Sequence, residues 1–161
     1  MKKLVSLPDY CLACGMCAIY CSAAHAGSEL DVVKAFKQGP PPPALVVEKS
    51  EMTAQAAVCR HCEVPYCLAG CIAGAISKDP QTGVVTCDQG KCVGCWTCVA
   101  ACPYGAITVR SWKGERARAY KCDLCRGISE VPMCVKHCPN EALLWQEIEG
   151  EGQYEKNRRA F

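Results

Sequence analysis

The chain has 161 residues, enough for one domain or two very small ones, and 17 of them are cysteine. A formal net charge of +2 is too small to argue for nucleic acid, and no apolar run approaches the length that spans a bilayer. Two Phe, three Trp and six Tyr supply the aromatic bulk, too little for a conventional core.

Cysteine at this level means either a secreted disulfide scaffold or a metal protein. Met1 to Asp9 starts basic but has neither an apolar core region nor a cleavage site, and ligand-type cysteines begin at Cys11, leaving no room for a removable leader. The expectation is a cytoplasmic protein whose thiols stay reduced and available to metal.

In chain order, the first packet of cysteines is Cys11-x2-Cys14-x2-Cys17-x3-Cys21. The insertion from Ser22 to Val58 follows. There Ala23 to His25 extends a short helix ended by Gly27, Gly39-Pro-Pro-Pro-Pro43 is a stiff extended spacer, and Ala44 to Glu48 reads as a strand. The second packet is Cys59-x2-Cys62-x4-Cys67-x3-Cys71. A hairpin is expected over Ile76 to Thr86, with turn chemistry at Asp79 to Gly83 and the return strand at Val84-Val85. The third packet is Cys92-x2-Cys95-x2-Cys98-x3-Cys102-Pro103, followed by a second hairpin, Ile107 to Arg110 and Ala117 to Lys121, around Lys113-Gly114. The fourth is Cys122-x2-Cys125-x8-Cys134-x3-Cys138-Pro139, and a polar tail runs from Gly150 to Phe161. Between the third and fourth cysteine of each packet the residues are small and helix-compatible, so one or two helical turns are expected, with the cysteine at the start.

The third packet has the ligand spacing of a bacterial ferredoxin. Three thiolates two residues apart curl around one face of an iron–sulfur cube, and the fourth, followed by proline, points at a different cluster. Zinc is the competitor, but its sites take C-x2-C pairs separated by a longer loop. Four packets of four cysteines suffice for four 4Fe-4S clusters, which replace the missing core. A repeat follows three packets: Cys71-Ile-Ala-Gly-Ala-Ile76, Cys102-Pro-Tyr-Gly-Ala-Ile107 and Cys138-Pro-Asn-Glu-Ala-Leu143, each a turn leading into a brief strand.

With these packets, above all Cys59-Arg-His-Cys-Glu-Val-Pro-Tyr-Cys67 and Cys92-Val-Gly-Cys-Trp-Thr-Cys98, the chain resembles the four-cluster electron-transfer subunits of the molybdenum and tungsten oxidoreductases from about Leu7 to Trp145. It looks most like the soluble branch serving carbon monoxide dehydrogenase and aldehyde oxidoreductase; other members accompany formate dehydrogenases and hydrogenases. The resemblance implies an α+β fold of two bacterial-ferredoxin-like modules about a pseudo-twofold axis. Residues 1–58 with 120–149 would form the module of packets one and four, 59–119 that of packets two and three, and 150–161 a polar tail. With the crossed ligation of two-cluster ferredoxins, it further implies four ligand sets: Cys59, Cys62, Cys67 with Cys102; Cys92, Cys95, Cys98 with Cys71; Cys11, Cys14, Cys17 with Cys138; and Cys122, Cys125, Cys134 with Cys21. Ile72 and Ser22 stand where the family often has proline after the last ligand.

The implied function is an electron wire, not an enzyme: it joins a large catalytic oxidoreductase subunit to a further redox protein or flavoprotein, with no nucleic acid and no membrane span. Phosphate-cradling and dinucleotide fingerprints are absent from the sequence. A free diffusing polyferredoxin is the alternative, disfavoured by the near-neutral charge, and a structural zinc protein is a third reading. Trp96 and His61 are the candidate cofactor contacts beyond the thiolates. Trp96 covers a cluster from solvent; His61 and His137 sit beside ligands, where a donor to sulfur competes with a solvent-facing loop histidine. Arg60 and Lys136 either offset cluster charge or face water, and Cys87, outside the packets and just after a strand, reads as inert packing.

Overall fold

The computed structural model describes residues 1–27, 31–111 and 113–148, so the tail from Gly150 to Phe161 lies outside the described residues. In chain order the strands are β1 (Lys2–Ser6), β2 (Val46–Lys49), β3 (Ala54–Ala57), β4 (Ile76–Lys78), β5 (Val85–Cys87), β6 (Ile107–Arg110), β7 (Arg118–Lys121) and β8 (Leu143–Glu147). The helices are α1 (Met16–Ala24), α2 (Val32–Lys37), α3 (Tyr66–Ala69), α4 (Thr97–Ala100) and α5 (Met133–Lys136). The elements are short: strands of three to five residues and helices of four to nine.

Four two-stranded sheets form: β1 with β8, β2 with β3, β4 with β5, and β6 with β7. The β4–β5 turn is held by Asp79, whose side chain accepts from the N–H groups of Gln81 and Thr82 at 2.9 and 3.0 Å. In the loop that joins Arg110 of β6 to Arg118 of β7, Lys113 and Gly114 both have positive φ, 49° and 74°. Three expected strands shift. Strand β2 runs from Val46 to Lys49 rather than Ala44 to Glu48, β7 starts at Arg118 rather than Ala117, and β5 starts at Val85 and includes Cys87, which therefore lies in the strand, opposite Ile76.

Strand β1 was not expected, because Lys2-Lys3 reads as a solvated start. Its partner β8 lies at the far end of the sequence, with Leu4 opposite Trp145 and Val5 opposite Leu144. Leu4 and Val5 are fully buried, so this strand joins the two ends of the described chain.

Each third packet cysteine is the second residue of its helix: Cys17 in α1, Cys67 in α3, Cys98 in α4 and Cys134 in α5. Helices α3 and α5 follow Pro65 and Pro132, which break the preceding loop just before the ligand. Helix α1 packs on α5, and α3 on α4. The buried side chains divide accordingly. One group joins Leu4, Leu45, Val58, Leu124 and Leu143 to Cys17, Cys21 and Cys134. Another joins Ile76, Val85, Ile107 and Ala119 to Cys98, with Cys67, Cys71, Cys92 and Cys102 packed against it.

Candidate metal centres

The four ligand loops share one backbone device. The residue just before the second cysteine is left-handed in every packet: Ala13 (φ 52°), His61 (46°), Gly94 (72°) and Leu124 (63°). In the two compact packets the residue after it is left-handed too, Gly15 at 76° and Trp96 at 63°. Only Gly takes this conformation without penalty. Paying it at Ala13, His61 and Leu124 reverses the chain so that successive thiols face inward. The reversal also aims backbone donors at sulfur: His61 N–H lies 3.5 Å from Cys59 Sγ, and Leu124 N–H 3.4 Å from Cys122 Sγ.

The repeat after the last cysteine has a similar logic. Its fourth residue is left-handed in all three copies, Gly74 and Gly105 at φ 59° and Glu141 at 51°. The alanine that follows turns its N–H back: Ala75 donates to Cys71 Sγ and Ala142 to Cys138 Sγ, both at 3.2 Å. The first packet lacks the repeat, and Ala44, carried in by the insertion, donates to Cys21 Sγ at 3.4 Å instead.

Four cavities collect the sixteen packet cysteines. Cys11, Cys14 and Cys17 line one with Cys138. Cys92, Cys95 and Cys98 line a second with Cys71, and Cys59, Cys62 and Cys67 a third with Cys102. Cys122, Cys125 and Cys134 line the fourth with Cys21. Every cavity takes three cysteines from one packet and one from another. Packets one and four exchange their last cysteine, as do two and three. Trp96 lines the second cavity and is 39% exposed, so its ring lies between the cavity and solvent. Cys87 lines the same cavity as a fifth thiol.

The donor chemistry suits iron–sulfur clusters. Burial pushes the Cys17 thiol up to about 11, with the neighbouring Cys11, Cys138 and Cys14 adding to the shift. Burial likewise raises Cys67, Cys98, Cys122 and Cys134, and takes Cys87 up to about 12. Cys95, at the surface, is lowered by the Thr97 hydroxyl. Thiols gathered in low dielectric resist ionising together unless cations join them. Four converging sulfurs, apolar walls and N–H donors on sulfur are the surroundings a 4Fe-4S cluster requires.

Three residues beside these cysteines have surroundings the sequence alone does not show: His25 and Lys121 each line a cavity, and His61, next to Cys62, lines none of the four. His25, taken only as the end of a helix, points Nδ1 at the Cys21 carbonyl (2.8 Å) and Nε2 at Asp123 (3.0 Å). Both nitrogens face acceptors, and the Asp123 carboxylate pushes the imidazole up to about 11. His25, Asp123 and Cys125 bring their ligand atoms within 4.8 Å of one another. Lys121 is buried and places Nζ 2.6 Å from Cys59 Sγ. His61 is 1% exposed, not a solvent-facing loop residue; the Val85 N–H donates to its Nδ1 at 3.0 Å, and burial lowers it to about 3. His137 stacks on Tyr20 at 3.5 Å between ring centroids, and Arg60 lies 3.7 Å above the Tyr104 ring.

Residues 50–148, well over half of the chain, match the family described as 4Fe-4S dicluster domain. The chain belongs to this family. It is a ferredoxin-type iron–sulfur protein of electron transport, and its relatives carry names of that kind. It is 36% identical over 156 residues to "Iron-sulfur protein" of Rhodospirillum rubrum, covering 88% of this chain and 80% of that one. It is 35% identical over 155 residues to "Electron transport protein HydN" of Escherichia coli (strain K12), covering 89% and 86%. A third relative, "Putative oxidoreductase AegA" of the same strain, is 37% identical over 146 residues; the match takes 88% of this chain but 21% of that much longer one. The span matching the dicluster family holds packets two to four. Cys11 to Cys21 lie outside it and share their cavities with cysteines inside it. Among the described residues, no helix is long and apolar enough to cross a membrane.

Proposed function

We propose that this dicluster-family protein carries electrons through four 4Fe-4S clusters between a large catalytic oxidoreductase subunit and a second redox protein or flavoprotein. The observation that carries the reading is the three-plus-one sharing of sixteen cysteines among four cavities. Each cavity's four cysteines are the ligands of one cluster, and packets one with four and two with three form two ferredoxin modules about a pseudo-twofold axis. Residues 1–58 with 120–149 make one module and 59–119 the other. The α1–α5 and α3–α4 contacts and the two separate groups of buried side chains support that division.

Each cluster supplies a centre that gains and loses one electron. The protein's own part is to hold it, keep water off it and set its potential through burial, charge and N–H donors on sulfur. Cys14 and Cys95 are exposed, whereas Cys17, Cys21, Cys59, Cys98, Cys125 and Cys134 are buried. The cavities of Cys14 and Cys95 are therefore the outer stations of the path, and Leu12, Val93 and Trp96 give them exposed apolar surface for partners. The protein is cytoplasmic and non-catalytic in this reading. Its catalytic partner is a carbon monoxide dehydrogenase or a tungsten aldehyde oxidoreductase, the class the packet pattern resembles.

Purification from the native source without oxygen tests this. The chain is expected to travel with a large catalytic subunit and to be reduced when that subunit's substrate is added. A chain that elutes alone and accepts no electrons from a co-purified enzyme contradicts the subunit role and leaves the free carrier.

A further inference from the structure

We propose that Lys121 sets the potential of the cluster held by Cys59, Cys62, Cys67 and Cys102, making it the more readily reduced of the two clusters in its half of the chain. The inference rests on the four-cluster reading above and adds to it a residue that works through charge.

Lys121 ends β7 with its side chain in the cavity of Cys59, Cys62, Cys67 and Cys102, where it is 9% exposed. The next residue, Cys122, lines the cavity of Cys21, Cys125 and Cys134. Successive residues of an extended chain face opposite ways, so this step of the backbone stands between a cavity of one group and a cavity of the other. Nζ reaches Cys59 Sγ at 2.6 Å. Among the described residues no carboxylate lies within ion-pair distance of it. A buried ammonium is costly without an anion, and here only sulfur is at hand. The Lys121 charge also favours ionisation of Cys67, against the burial that raises it.

The neighbouring cavity of Cys71, Cys92, Cys95 and Cys98 is built differently: among the described residues no lysine, arginine or histidine lines it. When an electron enters a cluster, no proton need follow, and the site gains one negative charge. A fixed positive charge a few ångströms away, poorly screened, stabilises that reduced state more than the oxidised one. The cluster beside Lys121 therefore takes the electron first.

The test is a redox titration followed by electron paramagnetic resonance on the full chain loaded with iron and sulfide without oxygen. The wave that disappears in Cys62→Ala identifies the cluster. Lys121→Met is expected to keep the wild-type iron content and to move that wave alone to lower potential, by about 59 mV or more, one tenfold in the oxidised-to-reduced ratio for one electron. Lys121→Arg, which keeps the charge, is expected to leave it near the wild-type position. An unmoved wave in Lys121→Met overturns the proposal, as does an equal shift of all waves or loss of iron from both variants, which would make the lysine a structural support. A wild-type chain that takes up no iron overturns the four-cluster reading as well, so the two failures are told apart.

Discussion

The backbone N–H of Val85 donates to Nδ1 of His61 at 3.0 Å, tying strand β5 to the loop that opens the second cysteine packet. The bond also selects the tautomer: with Nδ1 as acceptor, the proton of the neutral ring sits on Nε2. Replacing His61 by Phe fills the space but orphans a buried N–H, at a cost of about 1–3 kcal/mol. The urea midpoint for loss of the visible cluster band is expected to fall in His61→Phe and to recover in part in His61→Gln, whose amide oxygen can accept. Equal midpoints for Phe and wild type would deny the bond its role.

Gly94 and Gly114 offer a matched pair. Both have strongly positive φ, 72° and 74°, but a Cβ on Gly94 would lie 3.0 Å from the Ala117 carbonyl oxygen and 3.2 Å from the Trp96 ring, whereas one on Gly114 meets nothing. Gly114→Ala is expected to cost only the left-handed backbone penalty, about 1–2 kcal/mol. Gly94→Ala must also move backbone beside Cys92 and Cys95, and is expected to lose about four irons per chain, one cluster's worth. Iron analysis of the two variants separates crowding from conformation.

Glu141 occupies the position held by Gly74 and Gly105 in the sister repeats, at φ 51°. Relief of the left-handed strain in Glu141→Gly outweighs the added freedom of the unfolded chain, so the variant is expected to gain about 0.5 kcal/mol. Gly105→Glu is expected to lose about 1 kcal/mol by the same account. Paired denaturation curves check the sign of each.

Cys87 and Cys71 line the same cavity, yet only Cys71 receives a backbone N–H on its sulfur, from Ala75. Cys71→Ala is expected to lower iron by about four per chain. Cys87→Ala is expected to leave iron unchanged. Iron loss in Cys87→Ala would make the fifth thiol a ligand.

Much of this was legible because metal spacing is local chemistry: each packet and each of the two later hairpins is contained in a single short stretch of sequence. Glycine marks the left-handed positions at Gly94 and Gly105, whereas nothing in the residue type marks those at Ala13, Leu124 and Glu141. Strand β1 was hidden because its partner β8 lies at the other end of the chain and Lys2-Lys3 looks solvated. Helix α2 lies in a part of the insertion, ahead of the Gly39 to Pro43 spacer, for which the sequence gives no reading, although Asp31 caps it by accepting from the Lys34 N–H at 2.9 Å. Lys121 reads as an ordinary strand-end lysine until Cys59, far off in sequence, is brought 2.6 Å from it. The sequence leaves His61 open between a donor to sulfur and a solvent-facing loop residue for the same reason: its partner Val85 lies 24 residues away.

The most direct measurement is iron and acid-labile sulfide per chain in wild-type protein isolated without oxygen, with the signal after dithionite. Four clusters predict about sixteen of each and a brown protein that bleaches on reduction. About eight of each, or a colourless chain holding zinc, would contradict the account.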